Sequence, residues 1–78
     1  MNTQLLINKA TAELTKHAKE PLKVEVINGF IYVWGSELAC LRLFKIYHLA
    51  KNVQVKYSEN GNSWYFSMES FLIGVSHD

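Results

Sequence analysis

Apolar residues recur every four positions at Leu6, Ala10, Leu14 and Ala18, with Ile7 beside the same stripe. Lys9, Glu13, Lys16 and Glu20 take the other side. This period predicts an amphipathic helix over about residues 4–19, capped by Asn2 or Thr3. Pro21 disfavours helical geometry at Glu20 and ends the element near there. The stripe is narrow and half alanine. Such a helix is expected to lie close against another layer, because alone it would be marginal.

From Leu22 to Trp34 the period falls to two. Asn28-Gly29 supplies the pair that a type I′ turn requires, both residues tolerating positive φ. A two-residue loop pairs Ile27 with Phe30, Val26 with Ile31, Glu25 with Tyr32, Val24 with Val33 and Lys23 with Trp34. Val24, Val26, Ile31 and Val33 then share the core face. The opposite face carries Lys23, Glu25, Ile27, Phe30, Tyr32 and Trp34, which is rich in aromatics for a side that is commonly polar.

Ser36 is placed to cap a second helix over about residues 37–50. Steps of about 100° put Ala39, Leu43, Ile46, Tyr47 and Ala50 on its core face. Glu37, Arg42, Lys45 and His48 fall on the other side, and Leu38, Leu41 and Leu49 fall among them. A helix this apolar is contacted on two sides or displays a binding surface.

A second hairpin, Val53 to Met68, turns around Asn60-Gly61. Its register pairs Tyr57 with Trp64, Val55 with Phe66 and Val53 with Met68 on one face. Gln54 with Ser67, Lys56 with Tyr65 and Ser58 with Ser63 occupy the other. The polar stretch from Ser58 to Asn62 also suits a longer loop. Ser67 is a candidate cap for a short final helix through Phe71, Leu72 and Ile73, with a continued strand as the alternative; Gly74 ends either, and the last four residues are expected to fray.

The element order α-β-β-α-β-β defines the expected fold class. It is a two-layer α+β domain over residues 1–78, a four-strand antiparallel sheet with both helices on one face. The helical crossover makes the second and third strands run in the same direction. Placing the third strand beside the first gives the order 2-1-3-4; the order 1-2-3-4, with a parallel central pair, is the alternative. The two Asn-Gly hairpins are loosely alike, as two ordinary hairpins would be.

Composition narrows the function more than it names it. Seventy-eight residues form one small core with no room for a separate catalytic domain, and 49% hydrophobic with 13% aromatic content argues against disorder. A net charge of +1, from eight basic and seven acidic residues, speaks against a polybasic arm or an acidic phosphate mimic. Cys40 is single, so there is no intrachain disulfide. Without a charged leader or a run of about 18 apolar residues, a soluble cytoplasmic protein with no membrane partner is expected.

Candidate chemistry is sparse. Cys40 and His48 project about 80° apart on the second helix, too far to cooperate. Cys40 reads as an inert core thiol. His17, His48 and His77 make no metal-ligand spacing with it, and His17 and His77 read as solvated. Glu13 and Glu20, about 10 Å apart along the first helix, read as a solvated surface. No phosphate loop is present, so neither cofactor nor metal is expected. Glu25 is the most site-like carboxylate, lying among aromatics, and a structural role with Lys23 or Tyr32 is its alternative.

The functional expectation therefore rests on surface. Phe30, Tyr32 and Trp34 alternate along one strand over about 14 Å, joined by Ile27, Glu25 and Tyr65. This face suits contact with another protein or a second copy of the chain, as in a small inhibitor or accessory protein of the kind that phages and mobile elements carry. A runner-up is single-stranded nucleic acid, its bases stacked on the same rings with Lys23 and Lys56 at phosphates. A small enzyme or a homodimeric ligand-binding protein is the further alternative. Trp34 has a purely structural alternative, packing under the start of the second helix. Leu38, Leu41 and Leu49, with Arg42 and Lys45 among them, form a second candidate contact surface.

Overall fold

The computed structural model of the chain describes residues 3–73. Asn2, Gly74, His77 and the last four residues lie outside them. Helix α1 (Thr3–Ala18) precedes strands β1 (Lys23–Ile27) and β2 (Phe30–Gly35). Helix α2 (Glu37–Tyr47) precedes β3 (Gln54–Ser58), β4 (Ser63–Glu69) and a 3-10 turn (Ser70–Ile73). All three strand pairings are antiparallel, so the α+β class with one four-strand sheet is as expected.

The predicted stripe of α1 is its buried face: Leu6, Ala10, Leu14 and Ala18. Alanines let this helix approach the sheet closely. The helix stops where Lys19 enters the left-handed region at φ 62° and its N–H donates to the Thr15 carbonyl at 2.8 Å. Ser36 caps α2, its Oγ accepting from the Ala39 N–H at 3.1 Å. The hydroxyl in turn donates to Glu20 Oε1 at 2.7 Å. Arg42 Nη1 donates to the Ala18 carbonyl at 2.9 Å, so each helix helps to terminate the other.

The first hairpin register matches the sequence expectation pair for pair, and the second does so from Gln54–Ser67 to Ser58–Ser63, while Val53, expected opposite Met68, lies outside β3. The turns differ. Asn28 and Gly29 sit at φ 50° and 82°, as a type I′ turn demands. In the second hairpin the left-handed residue is Asn62, at φ 51°, closing a four-residue loop.

The sheet order is β1-β2-β4-β3, which corrects both orders expected from the connections. β2 and β3 do run in the same direction, but β4 lies between them. Strand composition explains this. Phe66, Ser67 and Met68 are consecutive and all buried, as suits a strand with neighbours along both edges, whereas β3 is short and carries Gln54, Lys56 and Ser58. Each α-β-β half thus occupies an equivalent place about the β2–β4 pair. The lysines Lys23 and Lys56 stand on the two edge strands, where charge discourages further pairing.

One core joins the layers: the four α1 residues, Ala39, Cys40 and Leu43 of α2, and Ile31, Val33, Phe66 and Met68 of the sheet, with Ile73. Val24, Val26 and Val55 pack against it while partly exposed. Ile46, expected in this core, is 47% exposed. The helix is rotated toward Cys40 relative to the expected face, and it ends at Tyr47, three residues early. Ser67 caps no helix; it lies inside β4, which continues to Glu69. The Ser70 N–H then donates to the Gly29 carbonyl at 2.8 Å, anchoring the 3-10 turn to the first hairpin.

Candidate functional site

The sheet face away from the helices gathers the aromatic residues singled out in the sequence. Alternation along β2 places Phe30, Tyr32 and Trp34 on it, and the β2–β4 pairing sets Tyr65 directly opposite Trp34. The ring centroids are 5.1 Å apart for Trp34 and Tyr65 and 5.9 Å for Tyr32 and Tyr65. Tyr65 is therefore the centre of a three-ring cluster. All four aromatics are half-buried, while Ile27, paired with Phe30, is 49% exposed.

Trp34 does not pack beneath α2. Its indole Nε1 donates to Glu25 Oε1 at 2.8 Å on the outer face. Glu25 thus pairs with the tryptophan rather than with Lys23 or a tyrosine hydroxyl. Beside the indole lies a hollow of about 220 Å³ lined by Lys23, Glu25, Trp34, Gly61 and Ser63. Gly61 lines it close to the indole: a Cβ there would stand 3.4 Å from Trp34 Cζ3. The sequence reading missed Gly61 and Ser63 as lining residues, because only the β2–β4 adjacency carries the second turn over Trp34.

Across the sheet one row reads Lys23, Trp34, Tyr65, Lys56, and the next reads Glu25, Tyr32, Ser67, Gln54. Aromatic rings are thus bracketed by cations in one row and flanked by a carboxylate in the other. This is a mixed, nearly neutral surface.

The second candidate surface is also exposed. Leu38 is 56%, Leu41 48% and Leu49 90% exposed, and Phe44 and Ile46 add to them without having been expected there. Lys45 stands among them, whereas Arg42 is held by the Ala18 carbonyl. Phe44 escaped notice because its neighbours on the helix are mostly apolar.

The titratable groups offer little chemistry. Burial pushes the Cys40 thiol up to about 11, with the Glu20 carboxylate adding to the effect and a backbone hydrogen bond at Gly35 opposing it. A buried thiol of this kind is a poor nucleophile. Glu13 and His17, expected on a solvated surface, are half-buried. Glu13 Oε2 accepts from the Tyr47 hydroxyl at 3.2 Å, and the His17 ring stands edge-on to Tyr47. Burial first, and that carboxylate second, raise Tyr47 to about 12. Among the described residues no three His, Cys, Asp or Glu side chains group as metal ligands, and no helix is long and apolar enough to cross a membrane.

No family model, curated protein or solved structure matches the chain.

Proposed function

We propose that this chain is a non-catalytic protein-binding module, of the small inhibitor or accessory kind, acting through the outer sheet face around Trp34. The observation that carries this reading is the hollow beside the Trp34 indole, a ring that itself packs on Tyr65 and through it on Tyr32. Interface anchors are typically aromatic side chains next to a pocket that takes a partner side chain. Here the rings are already held by one another and by Glu25, so little side-chain freedom is lost on binding. Lys23, Glu25 and Ser63 line the hollow with both signs of charge and a hydroxyl, a mixture that suits a polypeptide better than a polyanion.

The row Lys23–Trp34–Tyr65–Lys56 supports a second reading, with bases stacked on the rings and phosphates at the lysines. The Glu25 carboxylate beside that row weighs against it.

Capture of partners from a native lysate by the wild type and by folded Tyr32→Ala and Tyr65→Ala variants tests the proposal. A protein retained by the wild type and lost by both variants is the expected result. Partners retained equally by all three overturn it. Binding of labelled oligothymidylate that weakens steeply with salt and vanishes in Tyr65→Ala would favour the second reading instead.

A further inference from the structure

On the opposite side of the sheet, nothing among the described residues covers the outer surface of α2. Leu38, Leu41 and Phe44, with Leu49 in the following turn, are between 37% and 90% exposed, whereas Ile46 projects about 140° from Leu41 and lies outside this face. At roughly 150–250 Å² for a bulky side chain, the fractions for these four amount to on the order of 450 Å² of apolar surface. That is at the upper end of what a lone domain displays. A specific interface buries about 800 Å² on each partner. The patch therefore supplies an apolar surface of suitable size, with Lys45 among the leucines and Glu37 and His48 at its edge.

The charges on this helix are ordered along its axis. Glu37 opens it, Arg42 lies midway and is turned to the Ala18 carbonyl, and Lys45 and Lys51 lie at or beyond its end. Leu41 stands midway, four residues from Glu37 and four from Lys45. A two-fold axis beside Leu41 would run two copies of α2 antiparallel. Each Glu37 would then come beside Lys45 of the other copy, and each Leu38 would come level with Phe44. Such an interface uses one patch twice and must be complementary to itself. This patch is, in charge as well as in apolarity, and antiparallel helices also oppose their dipoles favourably.

From this self-complementarity we infer that the chain forms a two-fold homodimer through α2, with the helices antiparallel and Leu41 at the axis. The partner at this surface is a second copy. The proposal does not depend on the sheet-face reading, since the two surfaces lie on opposite sides of the sheet. Dimerisation here would leave both aromatic faces outward, so that one dimer presents two Trp34 hollows.

Sedimentation equilibrium of the full chain over roughly 5 to 500 µM tests it, with dissociation expected in the micromolar range. Leu41→Glu places an unpaired charge at the axis and should weaken association by at least about a hundredfold, with the milder Leu41→Ser as a second variant. Circular dichroism confirms that each variant is folded. Glu37→Lys and Lys45→Glu should each weaken association about tenfold, because each puts like charges together twice. The double variant should return to within about threefold of the wild type. A wild type that stays monomeric throughout the range overturns the proposal, whatever other protein the helix captures. So does a dimer indifferent to both Leu41 variants, or a double charge swap that restores nothing.

Discussion

The indole N–H of Trp34 donates to the carboxylate of Glu25, which sits on the neighbouring strand two residues from the tryptophan's own partner, Lys23. This diagonal bond fixes the ring over the sheet and leaves its flank to form the hollow. Glu25→Ala should cost about 1 kcal/mol, below the roughly 1.5–3 kcal/mol of a buried bond to a charged group, because water reaches the half-buried indole. Glu25→Gln keeps an acceptor and should cost less. Urea unfolding followed by fluorescence in a Trp64→Phe background, where Trp34 is the sole reporter, measures both.

The two Asn-Gly turns should respond differently to alanine. Gly29 sits at φ 82° with open space where a Cβ would go, so Gly29→Ala carries a purely conformational cost of about 1 kcal/mol. Gly61 is outside the left-handed region, and its Cβ would make near-ordinary contacts with Trp34 and Ser58. Gly61→Ala should stay within about 0.5 kcal/mol of the wild type, since lower unfolded-state entropy offsets slight crowding. Paired denaturation curves decide the matter, and equal losses would contradict it.

Two substitutions on one helix check how α2 is rotated. Leu43 is fully buried, and Leu43→Ala should cost about 2–5 kcal/mol, enough to unfold much of a domain this small. Ile46→Ala, at a side chain 47% exposed, should cost less than about 1 kcal/mol in the monomer. The expected order is read from thermal unfolding at low protein concentration.

Alkaline pH should destabilise the fold in two overlapping stages. Cys40 holds its proton to about pH 11 when folded, against 9.0 ordinarily, and Tyr47 to about 12, against 10.0. The unfolded chain releases these protons first, so their contribution is intact below about pH 9 and is lost as the pH rises through 9–11 and then 10–12. Urea midpoints measured against pH should fall across that window. Cys40→Ala should flatten the first part and Tyr47→Phe the second. Thiol labelling of the native protein should likewise be slow at pH 7.

Local structure was legible wherever neighbours in the chain decide it. The four-residue recurrence from Leu6 to Ala18 and both hairpin registers follow from near-neighbour sterics and periodicity, and the structure repeats them except for the expected Val53–Met68 pair. Strand order was not so determined, because connection rules weigh loops. What places β4 centrally is the need to cover Tyr65 and Ser67 as well as Phe66 and Met68. The same long-range choice made Tyr65 the hub of the aromatic cluster and brought Gly61 over Trp34. The rotation of α2 was obscured by Leu38, Leu41, Phe44 and Ile46, which give the helix apolar residues on nearly every side. Only the small side chains of Ala39 and Cys40 mark the line of closest approach.

The central position of β4 also governs the order of assembly. During synthesis the first helix and hairpin emerge together and can meet at once, but β3 finds no neighbour in the sheet until the chain has passed Glu69. Until then the inner edge of β2 stays open, and α2 has only part of a floor to lie on. The last strand made is thus the keystone of the sheet. A break in the Glu59–Asn62 loop would leave two fragments, neither holding a sheet of more than two strands; they should regain the native fold only by recombining, as a peptide carrying β4 slots between the hairpin and β3.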